Sequence, residues 1–201
     1  MAEQLPAAMI DELAADCVHD VREGVGFELD YTVETLPVVD HHCRTARTSD
    51  RWPDGAERLA QTVGCYFGEV IRRRFDGGCR WVLSAEGPHA WRLEFERCFL
   101  CFNPLGAALE LLLEGPAHGW NADFVTLPEA SPDVESHLDQ LPGVGEGDFY
   151  TLSVRYEVLE TIQDFLERWQ AGRKNLPRRY ETSYYEERLA LMQPDLETEV
   201  E

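Results

Sequence analysis

Six cysteines, six histidines and 38 carboxylates give the chain ample material for metal, thiol or acid–base chemistry, so spacing must decide which of these is built. Cys98-x-x-Cys101 is half of a zinc pattern. A structural zinc takes four ligands, usually two such pairs or one pair with histidines, and no second pair occurs. The pair also falls in a strand pattern, where residues three apart point to opposite faces. Buried, reduced thiols are the expectation. Asp40-His41-His42-Cys43 strings four ligand types together. On a helix neighbouring side chains diverge by about 100° each, so at most two of them can share one ion. No HExxH signature is present, and neither a metal nor a cofactor is expected.

Nucleophilic chemistry has no better footing. There is no GxSxG elbow, and no Walker loop or GxGxxG turn cradles a phosphate. Paired carboxylates are easily found among 38 and carry no weight by themselves. Glu69 differs, because it follows Gly68 inside an apolar stretch with Tyr66, Phe67, Val70 and Ile71. A buried acid needs a partner, and Arg72 and Arg73, at i+3 and i+4, can reach it. Two readings stay open: a salt bridge that fixes a helix, or a functional carboxylate. With His41, His42 and Asn103 it makes the candidate polar set. Gly64 and Gly68 each cost a helix about 1 kcal/mol relative to Ala, which implies close approach by another element or by a ligand.

The rest of the chain must position these residues. Its 201 residues suit one domain, and 44% hydrophobic residues suffice for a core. The N-terminal stretch lacks a basic, then apolar, leader pattern, and no apolar run reaches the roughly 20 residues of a spanning helix, so a cytoplasmic location is expected. Net charge is −20, from 38 acids against 18 bases. Such a field opposes bare nucleic acid and anionic membrane surfaces and steers a basic protein inward. Acidity of this kind also simply keeps a protein soluble.

Apolar spacing predicts an N-terminal helix over about Pro6–Glu23, within a segment 1–28, followed by one α+β domain over 29–192 and a frayed acidic tail over 193–201. A second helix is expected to open at Asp30–Glu34 with Thr32 as cap and to bury Leu36, Val39, His42 and Cys43. A loop over 45–55 and a third helix over 56–75 follow, stopped at Asp76-Gly77-Gly78. Strands are expected at Arg80–Ser84 and Trp91–Glu96, Cys98–Phe102 either continues the second or starts the next, and a helix follows Asn103-Pro104. Phe124–Leu127 reads as a short edge strand. Ser131-Pro132 reads as a helix start with Ser131 as cap. Ser153–Gln170 is a helix with Val158, Ile162, Phe165 and Trp169 on one stripe. The fold class is α+β, helix-rich, with a small antiparallel sheet packed against helices.

Gly64-Cys-Tyr-Phe-Gly68-Glu69-Val70, Gly77-Gly78-x-x-Trp81 and Phe102-Asn103-Pro104 together resemble a pattern in bacterial domains of unknown function. The likeness spans roughly residues 29–115. Cys65 departs from it if Ala is usual there. It implies the order of elements and a bacterial source, and it implies no activity, cofactor or catalytic residue.

Three functions are thereby in view. The leading one is a non-enzymatic protein-interaction module, immunity- or adaptor-like, with an acidic or aromatic face for another protein, a basic one being one option. The alternative is a small enzyme with a site around Glu69, His41, His42 and Asn103. The third is a subunit of a larger assembly, whose mark is an exposed apolar patch over residues 169–185.

Overall fold

The computed structural model describes residues 4–49, 52, 55–140, 143, 145 and 148–192. The described residues form seven helices and one four-stranded antiparallel sheet, an α+β fold. The helices are α1 (Gln4–Val25), α2 (Leu36–Arg47), α3 (Ala56–Arg74), α4 (Pro104–Leu113), α5 (Ser131–Leu138), α6 (Leu152–Ala171) and α7 (Thr182–Met192). The strands β1 (Cys79–Val82), β2 (Arg92–Phe95), β3 (Leu100–Phe102) and β4 (Val125–Thr126) pair in sequence order. Arg80 sits opposite Glu94, and Leu93 opposite Phe102. β4 closes one edge against β3, as the sequence predicts.

The core is built around α3. Its residues from Thr62 to Ile71 are all buried, because α1, α4 and the sheet cover it from different sides. Ile10, Ala14, Cys17 and Val21, at the helical repeat, put α1 into this same core. α3 and α4 cross at Gly64, where a Cβ would run into the backbone of Leu105 and stand 2.9 Å from the Pro104 carbonyl oxygen. At Gly68 a Cβ would collide with the Trp81 indole, which lies directly on the helix. Both glycines thus serve packing partners from the protein itself. The helix ends at Asp76 and Gly77, both at positive φ (46° and 71°), a left-handed stop that glycine adopts freely.

Several boundaries differ from the expectations. Residues 33–35 form a 3-10 turn, and α2 starts only at Leu36, with Pro37 in its first turn. Thr32 does not cap it with its side chain; the hydroxyl donates to Asp30 Oδ1 at 2.6 Å instead. α2 runs on to Arg47, three residues into the expected loop. His42 is half-buried, because it faces the end of α1 beside Gly24 and not the core. Ser131 lies inside α5, and Ala130 is its cap residue. Cys98 precedes β3, which begins at Leu100. The expected tail over 193–201 lies outside the described residues.

On α6 the buried stripe is rotated from the expected one. Val158, Phe165 and Trp169 are half-buried, while Leu152, Arg155, Tyr156, Leu159, Ile162, Gln163 and Leu166 face inward. Two polar residues on the inner stripe conceal it from an apolar count. Arg155 is there because Glu110 of α4 is also buried: its guanidinium pairs with that carboxylate and donates to the Ala122 carbonyl at 2.8 Å.

Candidate functional site

The structure gives Glu69 and Asn103, two members of the expected polar set, a packing task. Glu69 is 2% exposed and accepts a two-pronged pair of hydrogen bonds from Arg72, each 2.8 Å, and one from the Trp81 indole N–H at 3.1 Å. Arg73 stands 3.9 Å from it. The forked geometry uses both carboxylate oxygens, so Glu69 ties the end of α3 to β1.

Asn103 is fully buried, and both its side-chain oxygen and its amide N–H groups are engaged. Its side-chain oxygen accepts from Leu105 N–H and caps α4, while its amide donates to the carbonyls of Pro88 and His89. Its backbone N–H donates to the Asn121 carbonyl at 2.8 Å.

His41 is exposed. His42 is held below its usual range, chiefly by burial, against the opposing pull of Asp20. Glu69, His41, His42 and Asn103 line none of five clefts found among the described residues.

Asp40, the first residue of the would-be ligand string, reaches across to another helix. Its oxygens accept the N–H groups of Leu152 and Ser153 and the Ser153 hydroxyl. A carboxylate there complements the N-terminal dipole of α6, adding to the cap from Thr151. Among the described residues no group of three or more His, Cys, Asp or Glu side chains could hold a metal. All six cysteines are buried and unpaired, and burial pushes each thiol up, Cys79 and Cys101 to about 12. Thiols so raised are poor nucleophiles, because the thiolate is the reactive form.

A different set of residues converges on a cleft of about 450 Å³ between the 3-10 turn, the last turn of α3 and the middle of α6. Tyr31, Glu34, Arg73, Arg74, Tyr156 and Glu160 supply its polar groups. Tyr31 holds φ at +63°, a conformation that costs a bulky residue of order 1–3 kcal/mol and persists only when its surroundings fix it. Here its N–H donates to the Tyr66 hydroxyl at 3.0 Å, its ring rests 4.9 Å from the Tyr66 ring, and the Arg73 guanidinium lies 3.6 Å above it.

Across the cleft Arg74 and the Tyr156 hydroxyl both donate to Glu160 Oε1, at 3.1 and 3.0 Å. Burial raises both Tyr31 and Tyr156, the latter to about 12. A proton-transfer catalyst needs a group poised near working pH, and these phenols are moved away from it. The cleft offers aromatic faces and hydrogen-bond donors, the means of recognition.

The sequence reading missed this cleft because its residues are scattered over three elements. The local sign was Asp30-Tyr31-Thr32, where Asp30 accepts from both the N–H and hydroxyl of Thr32 and thereby shapes the turn.

The outer face of α1 borders this region, since Asp11 of α1 lies near both Tyr31 and Arg72. Glu12, Asp16, Asp20 and Glu23, at i, i+4, i+8 and i+11, form one exposed acidic row. Their ionic contacts are loose: Asp16 to Arg58 and Glu23 to Arg22, each at 3.9 Å. Met9, Val25 and Phe27 are exposed apolar side chains on α1 and the loop that follows it. Compared with protein-family models, curated protein sequences and solved structures, the chain matches none of them. No helix among the described residues is long and apolar enough to cross a membrane.

Proposed function

We propose that the chain is a non-enzymatic protein-interaction module, immunity- or adaptor-like, whose α1 face receives a basic partner. One observation carries this reading: the unneutralised row Glu12–Asp16–Asp20–Glu23, accompanied by the exposed Met9, Val25 and Phe27. Carboxylates steer a basic surface in and set its register, while exposed apolar groups supply contact area that charge cannot. Between residues 4 and 30 there are seven acids and one arginine, against 38 and 18 in the whole chain. The segment that carries this face is therefore more one-sidedly acidic than the chain as a whole.

The test compares the native chain with a variant carrying Glu12→Gln, Asp16→Asn, Asp20→Asn and Glu23→Gln. Lysate of the native organism is passed over each at low and high salt. A stoichiometric basic protein, held by the native chain at low salt and released by salt or by the variant, is the expected result. Retention indifferent to both would count against the acidic face.

A further inference from the structure

Opposite in sign to α1 is the connection from α6 to α7. Residues 168–179 hold five of the chain's 18 bases and no acid. Arg97, from the turn between β2 and β3, joins them, and Arg97, Arg173, Lys174 and Arg178 line one cleft of about 810 Å³ whose floor includes Leu176 and Pro177. A second cleft of about 320 Å³ adjoins it, and Arg97 and Arg178 line both.

The state of these cations matters more than their number. Elsewhere the arginines are largely engaged by carboxylates, as at Glu69, Glu94, Glu110 and Glu160. Arg97, Lys174 and Arg178 are exposed and have no carboxylate within ion-pair distance among the described residues. Of the acids lining the two clefts, Glu167 accepts from Gln163 and Glu96 is paired to Arg80 and Arg179, while Asp76, which lines the second cleft, has no ion pair among the described residues. Arg173 is also fixed, stacked 3.5 Å over the Trp169 ring while donating to the Trp169 carbonyl.

We propose that these joined clefts bind an extended, carboxylate-rich segment of a partner protein. Guanidinium groups pair with carboxylates in a forked geometry, and two adjoining clefts give successive acids successive sites. Leu176 and Pro177 receive the apolar residues between them. A long phosphate polyanion is disfavoured, because neutralising it needs a wide basic field and the cations here are confined to two adjoining clefts. This second surface stands independently of the acidic face.

The experiment titrates a fluorescent peptide of sequence Pro-Asp-Leu-Glu-Thr-Glu-Val-Glu, the acidic–apolar alternation that residues 194–201 themselves carry. The titrated proteins are the full chain, an Arg97→Ser/Arg178→Ser variant, and a variant with the four carboxylates of residues 194–201 made amides. Saturable binding to the full chain is expected, weakened by salt and reduced about tenfold or more in the double variant, as loss of two charged hydrogen bonds implies. The Asn/Gln analogue of the peptide should not bind.

Binding to neither the full chain nor the amide variant overturns the proposal. So does binding that the double variant leaves unchanged. Binding only to the amide variant would assign the clefts to the chain's own acidic segment and overturn a partner as occupant. Displacement of the peptide by inorganic polyphosphate at lower concentration than by free unlabelled peptide would reassign the clefts to phosphate.

Discussion

Glu110 and Arg155 in the core, and Glu12, Asp16 and Asp20 on α1, are charged groups treated in opposite ways. Inside, three of the four buried carboxylates among the described residues have a near cation: Glu110 has Arg155, Glu94 has Arg80 and Arg92, Glu69 has Arg72, and the fourth, Asp40, is held by the N–H groups of Leu152 and Ser153 and the Ser153 hydroxyl. Outside on α1, like charges stand four residues apart with only distant counter-ions. Buried charge must be matched because its desolvation is not otherwise repaid. Exposed charge can stay unmatched, since water screens it. Unmatched charge on a surface is therefore available to something outside the chain, whereas matched charge in the interior is committed to the fold.

The most severe way to break this contrast is to remove one half of an interior pair. Arg155→Met leaves Glu110 buried beside no cation, and loss of one partner of a buried pair costs about 3–5 kcal/mol. Urea unfolding should show it as a large fall in midpoint. Arg155→Met combined with Glu110→Met should recover most of that loss, because both charges then go together. If the single variant is as stable as the native chain, the interior pair does not hold α4 to α6.

Next in size is the α3–α4 crossing. Gly64→Ala places a Cβ against the backbone of Leu105, which cannot swing aside as a side chain could. Overpacking of this kind costs about 1–3 kcal/mol. Gly68→Ala meets the Trp81 indole instead, and it displaces the ring from Glu69. Thermal melts should fall for both. Indole fluorescence should change for Gly68→Ala and not for Gly64→Ala.

Removal of the tertiary cap is milder. Asp40→Ala removes the acceptor for Leu152 N–H and the second acceptor at Ser153. A lost cap costs about 1 kcal/mol, read again by urea unfolding. Asp40 also carries a pH signature. Burial raises its carboxyl above the ordinary value despite the hydrogen bonds that oppose the shift. A carboxyl raised on folding stabilises most below its unfolded value, near 3.9. That contribution fades as pH climbs through the folded value. The native-minus-variant stability difference should thus shrink as pH rises through that window.

The parts of this architecture that sequence reveals are those written in local spacing. The glycine pair on α3 announced close approach, and Leu105 and Trp81 are what approach. The Asn103-Pro104 junction announced the start of α4. The Glu69–Arg72 pair lay within one helical turn and was visible as such. What escaped was written across distance. Asp40 finds Ser153 over 113 positions, and Arg155 finds Glu110 over 45. A buried arginine interrupts an apolar stripe, so α6 read from hydrophobicity alone was rotated toward Val158 and Trp169. The Tyr31 cleft and the basic clefts escaped for the same reason. Each is assembled from single residues on separate elements, none of which is unusual in its own neighbourhood.

The smallest expected change in stability concerns α1 and carries the most information about function. Glu12, Asp16 and Asp20 repel one another at i, i+4 spacing, a cost of about 0.2–0.5 kcal/mol per like-charged pair. Glu12→Gln and Asp20→Asn each relieve such repulsion without touching the core stripe of Ile10, Ala14, Cys17 and Val21. The folded chain should become slightly more stable, most clearly at low salt, where screening is weakest. Partner capture should move the other way and fall. A residue kept only for solubility would show neither opposition nor a shared salt dependence. Opposite signs for stability and binding, both fading as salt is added, are the signature of a surface whose charge is used outside the fold. Loss of stability in these variants would instead mean that the row belongs, like Glu110 and Glu69, to the fold itself.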